Sequence, residues 1–232
     1  IDENFSAGGR SLGYYEEDDL DPSPKPKKRK SKAVKTGEKM GFDMRGIDEG
    51  KSEYTEDEVK EFIKCQKNPA YFIENYVNIV SIDEGLIPFE LYDYQRKMFE
   101  SFKDNRFNIV LACRQSGKSI SSVVFLLWYA IFYPEKTIAV LANKGAVARE
   151  MLSRITLALE NLPFFLQPGC KALNKGSIEF SNNSKIVASA TSGNSIRGMS
   201  INLLFLDEFA FVENDAQFYT STYPVVSAGK DT

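Results

Sequence analysis

The chain contains no histidine among its 232 residues. This absence excludes Ser-His and Cys-His catalytic pairs and zinc sites built on histidine. A base that activates a nucleophile must therefore be sought among the carboxylates.

Cysteines and long apolar runs are also scarce. Cys65, Cys113 and Cys170 are far apart and form no C-x-x-C pair, which is typical of a reduced intracellular protein. The longest apolar run, residues 123–133, has about half the length needed to span a bilayer. No signal peptide is visible in the sequence. We therefore expect a protein that is neither secreted nor bound to a membrane.

Neither sign of charge dominates, since the formal net charge is −3. Residues 1–52 contain few aliphatic residues and consist of charged blocks, acidic at 14–21 and basic at 25–32. Such a segment buries too little apolar surface to offset its ordering entropy, so we predict a disordered tail at 1–52 and an ordered domain at 53–232. The basic run is either a contact for DNA or an acidic partner, or simply a solvated tail.

Because the chain begins at Ile1, we expect it to be a fragment.

A phosphate-binding loop is predicted around Gly117-Lys118-Ser119. Four apolar residues, 109–112, precede this loop, and a long apolar helical pattern follows it. A strand, a tight loop and a helix arranged in this way direct backbone N–H groups and a helix N-terminus at phosphates. The motif G-x-x-x-x-G-K-[ST] is imperfect, because Ala112 occupies its first glycine position. The motif alone also fits a lysine at the start of an ordinary buried helix.

A second motif favours the phosphate-binding interpretation. The apolar run Leu203–Leu206 is followed directly by Asp207 and Glu208. Acids at the end of a buried strand are costly unless something compensates their charge, and Mg²⁺ together with a water nucleophile does so. We predict that Ser119 and Asp207 share Mg²⁺. Glu208 polarises the attacking water in this scheme; otherwise it is a salt-bridged strand end.

The remaining site predictions concern the loop and a glutamine upstream of it. Lys118 is expected to contact the β- and γ-phosphates, and Gly117 to let the backbone approach them. Arg114 either neutralises γ-phosphate charge in the transition state or pairs with a surface acid. Gln95 either reads an adenine edge or is a surface glutamine. Arg197 is a weaker candidate as a phosphate sensor or partner contact.

The nucleotide is predicted to be ATP rather than GTP. Residues 143–146 begin like the guanine-binding motif N-K-x-D, but Ala146 lacks its carboxylate. Strand patterns alternate with helix patterns along the ordered part of the chain. This alternation predicts an α/β fold with a largely parallel central sheet and right-handed crossovers.

Several segments in a consistent order are similar to the large terminase subunit of tailed phages, of the T-even-like group. They are Tyr94-Gln95-Arg96, residues 113–119, 141–145, 165–169 and 174–179, Ile196-Arg197-Gly198 and residues 206–211. The resemblance covers residues 54–229 and is more specific than the two nucleotide motifs alone.

The resemblance implies a P-loop NTPase of the ASCE/RecA-like type that drives double-stranded DNA into a procapsid. It implies a ring of copies on the portal protein, a small terminase subunit as partner, and work in the host cytoplasm during transient docking on the procapsid. Carried onto this chain, it makes Gln95 the adenine contact and Arg114 the cis-acting arginine. The loop residues Gln115, Ser116, Gly117, Lys118 and Ser119 then hold ATP, Asp207 binds Mg²⁺ and Glu208 is catalytic.

The sequence stops before two further parts of this family, a threonine-rich coupling motif and a nuclease domain. Nuclease activity is therefore not assigned to these residues. In this ATPase class the strand after the Asp-Glu strand inserts beside the phosphate-loop strand, so the sheet is expected to be truncated. The resemblance implies that the 232-residue piece alone folds poorly and turns over ATP weakly.

Two other functions remain open from the sequence. A superfamily 2 helicase shares the upstream glutamine, the phosphate loop and the Asp-Glu pair, although it typically keeps the first loop glycine and lacks an arginine at position 114. A non-hydrolysing scaffold with a vestigial loop is the alternative from another class. Retention of both Lys118 and Glu208 argues against the scaffold.

Overall fold

The computed structural model describes residues 54–81, 83–191, 196, 198–212 and 215–227. The predicted tail at 1–52 and the candidate Arg197 lie outside the described residues. The helices are α1 (Glu56–Lys67), α2 (Pro69–Tyr76), α3 (Asp93–Asp104), α4 (Lys118–Phe132), α5 (Gly145–Glu160) and α6 (Asp215–Ser227). The strands are β1 (Asn78–Ser81), β2 (Gly85–Pro88), β3 (Thr137–Ala142), β4 (Cys170–Leu173), β5 (Ser177–Phe180), β6 (Lys185–Ala190) and β7 (Leu203–Leu206).

Side-chain caps define where the first two helices begin. The Thr55 hydroxyl accepts a hydrogen bond from the Glu58 N–H at 3.2 Å, and the Glu58 carboxylate accepts one from the Thr55 N–H at 2.8 Å. This reciprocal pair is a capping box. Asn68 starts α2 by accepting a hydrogen bond from the Tyr71 N–H at 3.1 Å, with Pro69 at the first helical position. A proline fits there because no backbone donor is needed.

A small antiparallel hairpin of β1 and β2 follows α2. The two strands pair from Ser81 opposite Gly85 to Asn78 opposite Pro88. Gly85 adopts φ +76° at the turn, a region that other residues rarely enter. This hairpin forms a sheet of its own, separate from the main sheet.

The main sheet has five strands in the order β4-β5-β6-β3-β7. The parallel pairs are the two that β3 makes, with β6 on one side and with β7 on the other. The pairs β4–β5 and β5–β6 are antiparallel, so the sheet is mixed and the prediction of a largely parallel sheet is wrong. The reason lies in the connections, because residues 174–176 and 181–184 form turns that are too short for a parallel crossover.

The strand predicted immediately before the phosphate loop is not formed. Residues 107–113 have no strand structure, and the side chains of Ile109 and Leu111 are 91% and 93% exposed. A strand is stabilised by backbone pairing with a neighbour, and no described strand lies beside this run. Among the described strands, β7 is bonded only to β3. The helices together with the mixed sheet confirm the α/β class. The predicted phosphate-loop strand, however, is not part of this sheet.

Helix α4 forms the centre of the core and fixes the direction of the loop before it. Every residue from 121 to 132 is buried, so the long apolar pattern after the loop forms a helix that is covered on all sides. The Trp128 indole N–H donates to the Cys65 carbonyl at 2.8 Å, and the Asn182 side-chain amide donates to the Ala130 carbonyl at 2.9 Å. These bonds attach the buried helix to α1 and to the β5–β6 turn.

Within the described ranges, no helix combines the length and hydrophobicity needed to cross a bilayer.

Candidate active site

The loop before α4 has the backbone shape of an anion-binding turn. Gln115 and Gly117 both have left-handed backbones, with φ of 61° and 80°. Within this turn the Ser116 hydroxyl donates to the Cys113 carbonyl at 2.9 Å. Helix α4 begins at Lys118 directly after Gly117, so its first N–H groups have no helical acceptor. A helix N-terminus of this kind attracts phosphate through its free donors and its partial positive charge.

The backbone angle of Gly117 favours glycine, and the space beside it is narrow. A Cβ built on Gly117 would lie 2.9 Å from the Gln95 amide nitrogen, so the Gln95 side chain would have to shift to admit it. The approach of the Gly117 backbone to phosphates stays a prediction. What approaches in this structure is the first turn of α3.

Strand β7 is followed by carboxylates that lie beside the loop and the start of α4. Strand β7 runs parallel to β3, and the Asp207 N–H donates to the Leu141 carbonyl at 2.9 Å, just beyond the last strand pair. This bond places Asp207 at the carboxyl end of the sheet beside α4. There the Ser119 hydroxyl lies 3.5 Å from the Asp207 carboxylate. The two predicted metal ligands are therefore neighbours in space.

The environment of Asp207 suits a cation. Its side chain is buried. Burial raises the pKa of the Asp207 carboxyl above its ordinary value and the charge of Glu208 raises it further, whereas Lys118 and the Ser119 hydroxyl lower that pKa. A buried carboxylate whose ionisation is opposed in this way gains from a positive partner.

A comparison with known protein families supplies the decisive observation. Residues 109–232 match the family model described as "Terminase large subunit, T4likevirus-type, N-terminal". The chain belongs to this family. The resemblance inferred from the sequence is confirmed, and the family associates the chain with phage DNA packaging. The large terminase subunit is generally an ATPase.

The matched segment of the terminase chain starts at Ile109. It includes Lys118, Ser119, Asp207 and Glu208, and it excludes Gln95. The match therefore spans the loop and the acids without assigning them a role, and α3 lies outside it.

Glu208 differs from its neighbour in both exposure and backbone. Its side chain is exposed, and its backbone is left-handed, with φ 49° and ψ 43°. A non-glycine residue in this region carries a conformational cost and is enriched at functional sites. Among the described residues, no basic side chain forms an ion pair with Glu208, so the alternative of a salt-bridged strand end has no support.

Arg114 projects from the exposed part of the loop. Within the described part of the chain, no acid forms an ion pair with it. The alternative of an arginine paired with a surface acid is therefore unsupported. A guanidinium beside the loop remains available for a phosphate.

Gln95 is not a surface residue. Its side chain is 1% exposed, and its carbonyl oxygen accepts a hydrogen bond from the Tyr92 N–H at 2.8 Å. The glutamine thus caps the start of α3 while its amide nitrogen faces the loop at Gly117. The surface alternative is excluded, and contact with an adenine stays a prediction.

Sequence reasoning missed one contact of the loop. The Tyr94 hydroxyl, on the first turn of α3, donates a hydrogen bond to the Ser116 carbonyl. In the sequence Tyr94 stood out only as the neighbour of Gln95. No spacing rule signals a tyrosine bond to a loop carbonyl 22 residues away.

The donor set of the site consists of oxygen atoms. Among the described residues, no group of three or more His, Cys, Asp or Glu side chains could hold a metal ion. The Ser119 hydroxyl and the Asp207 carboxylate together offer the sparse oxygen set with which Mg²⁺ is held when phosphate oxygens and water complete its coordination. The residues present therefore fit Mg²⁺ bound with a nucleotide.

Proposed function

We propose that this chain binds Mg²⁺·ATP at the N-terminus of α4 and hydrolyses it to drive double-stranded DNA into a procapsid. The observation that carries the proposal is the 3.5 Å approach of the Ser119 hydroxyl to the buried Asp207 carboxylate. The family match supports packaging over the helicase alternative, because the matched family is that of the terminase large subunit.

The loop binds the phosphates in this proposal. Lys118 and the N–H groups of the turn formed by Gln115, Ser116 and Gly117 neutralise and position the β- and γ-phosphates. Ser119 and Asp207 hold Mg²⁺, which when bound neutralises charge on the phosphate oxygens. Gln95, whose amide nitrogen faces the loop at Gly117, is proposed as the contact of the adenine.

The chemical step is assigned to two exposed residues. Glu208 orients a water molecule and accepts its proton as the water attacks the γ-phosphate. Arg114 stabilises the charge that spreads over the transferred phosphoryl group. The bond between the γ-phosphorus and the β–γ bridging oxygen breaks, ADP leaves with that oxygen, and Glu208 returns its proton to solvent as inorganic phosphate departs.

The proposed partners follow the family. Double-stranded DNA is the substrate that is moved, and further copies of the chain form a ring on the portal protein. The small terminase subunit is a further partner. The work takes place in the host cytoplasm, with the motor docked transiently on the procapsid.

The test is a paired assay on the full-length protein. Phosphate release from Mg²⁺·ATP and uptake of duplex DNA by portal-bearing procapsids are measured for the wild type and for Lys118→Ala. Both activities are expected in the wild type and neither in the variant. Displacement of a DNA strand without portal or procapsid would instead support a helicase. Binding of ATP without turnover would support a scaffold.

A further inference from the structure

The first turn of α3 contacts the phosphate loop at one peptide group. The Tyr94 hydroxyl donates to the Ser116 carbonyl. A Cβ on Gly117 would lie 2.9 Å from the Gln95 amide nitrogen and 3.7 Å from the Tyr94 hydroxyl oxygen. Both side chains of α3 therefore lie against the peptide that joins Ser116 to Gly117.

The orientation of that peptide decides what the loop offers a phosphate. A trans peptide is planar, and its carbonyl and N–H point to opposite sides; no cis peptide occurs among the described residues. When Tyr94 holds the Ser116 carbonyl on the α3 side, the Gly117 N–H must point away from α3. The left-handed backbone of Gly117 would otherwise allow this peptide to rotate, because glycine adopts many backbone angles.

We propose that Tyr94 is a positioning residue that fixes the Gly117 N–H as a phosphate donor, an inference that rests on the proposed function. No other side chain within the described loop performs this task, since the Ser116 hydroxyl is bonded to the Cys113 carbonyl. Pre-organising a donor lowers the cost of ordering the loop when the phosphate binds.

The surroundings hold the tyrosine in place. The ring of Tyr92 stacks on the ring of Tyr94, with centroids 6.0 Å apart and planes 14° from parallel. The bond from the Tyr92 N–H to the buried Gln95 carbonyl oxygen fixes the backbone of this turn. Tyr94 is 40% exposed, so removing its hydroxyl leaves the core unchanged.

The test compares Tyr94→Phe with Tyr92→Phe in the full-length protein. Both substitutions remove one hydroxyl from the same stacked pair, but only the first removes the bond to the loop. Binding of ATP, of inorganic tripolyphosphate with Mg²⁺, and of adenosine is measured by calorimetry. Thermal melting of each variant checks the fold.

The expected result is a selective loss of phosphate binding. Tyr94→Phe should lower the affinity for ATP and the affinity for tripolyphosphate by the same factor, roughly three- to tenfold, which is the range for one hydrogen bond. Adenosine affinity should not change, and Tyr92→Phe should match the wild type for all three ligands.

Three results would overturn the inference. Unchanged tripolyphosphate affinity in Tyr94→Phe would show that the hydroxyl does not position a phosphate donor. A loss shared by ATP and adenosine but absent for tripolyphosphate would make Tyr94 a base contact instead. A wild type that binds neither ATP nor tripolyphosphate would refute the proposed function itself, and this inference with it.

Discussion

The Ser119 hydroxyl and the Asp207 carboxylate lie 3.5 Å apart although 88 residues separate them in the chain. Two elements produce this approach. Helix α4 begins at Lys118 and presents Ser119 on its first turn, and β7 ends beside β3 immediately before Asp207. The distance between these two side chains therefore depends on where the whole loop lies relative to the sheet.

Replacing Asp207 by asparagine should change the pH dependence of stability and, separately, lower ATP turnover. The carboxyl has a raised pKa in the folded chain, chiefly because of burial. The folded state then binds a proton more tightly than the unfolded state, so the stability contributed by this group is lost as the pH rises through the raised pKa. Without Mg²⁺, thermal melts should show this loss in the wild type and not in Asp207→Asn.

The same variant should lose activity. Asparagine lacks the charge that holds Mg²⁺, and the expected fall in ATP turnover is roughly 100-fold or more. Asp104→Asn, at an exposed position of α3, is the matched control for both measurements. Full turnover by Asp207→Asn at ordinary Mg²⁺ concentrations would show that Asp207 is not a metal ligand.

Glu208→Gln should abolish turnover and retain nucleotide binding. Glutamine keeps the shape of the side chain but cannot accept the proton of the attacking water, and a general base contributes about 10²–10⁴-fold to rate. Glu100→Gln, which changes an exposed acid on α3, should behave as the wild type. Phosphate release and ATP affinity are measured together. Unchanged turnover would remove the catalytic assignment of Glu208.

Arg114→Ala should lower turnover far more than nucleotide affinity. An arginine that acts on transition-state charge contributes about 10³–10⁵-fold to rate, whereas the ground-state contact is weaker. Arg154→Ala, which breaks an exposed pair with Glu150 on α5, controls for loss of a surface charge. Equal losses in turnover and affinity would indicate that Arg114 only binds the nucleotide.

Alkylation of the cysteines should report occupancy of the loop. Cys113 and Cys170 are exposed, whereas Cys65 is fully buried and its burial raises the pKa of the Cys65 thiol to about 12. N-ethylmaleimide should therefore modify Cys113 in the folded protein, Cys170 more slowly because partial burial raises the pKa of its thiol, and Cys65 only after unfolding. Mg²⁺·ATP should protect Cys113, which lies in the loop, and leave Cys170 reactive.

Mass spectrometry of peptides with and without nucleotide measures this protection. Cys170 serves as the internal control, because it is on β4, away from the loop. Equal modification of Cys113 at saturating nucleotide would mean that the phosphates bind elsewhere.

Local signals in the sequence predicted many of the elements correctly. The long helix α4 and the Leu203–Leu206 strand each depend on residues that are close in sequence. The proximity of Ser119 to Asp207 also followed, because phosphate-loop and Asp-Glu motifs have a defined spatial relation.

The errors concern pairing between distant segments. Residues 109–112 have the composition of a strand, but composition does not supply the neighbour that a strand requires. β4 was missed because it is only four residues long and exposed along its length, so no buried face marks it in the sequence. The Tyr94 bond to Ser116 depends on how α3 packs, which no local pattern encodes.

The most direct test is a crystal structure of the full-length protein with Mg²⁺, ADP and beryllium fluoride. The account predicts Mg²⁺ in contact with the Ser119 hydroxyl and near the Asp207 carboxylate. It also predicts phosphates against the N–H groups of Gly117 and Lys118, and a water between Glu208 and the fluoride. Nucleotide bound away from the N-terminus of α4, or Asp207 turned away from the metal, would contradict the account.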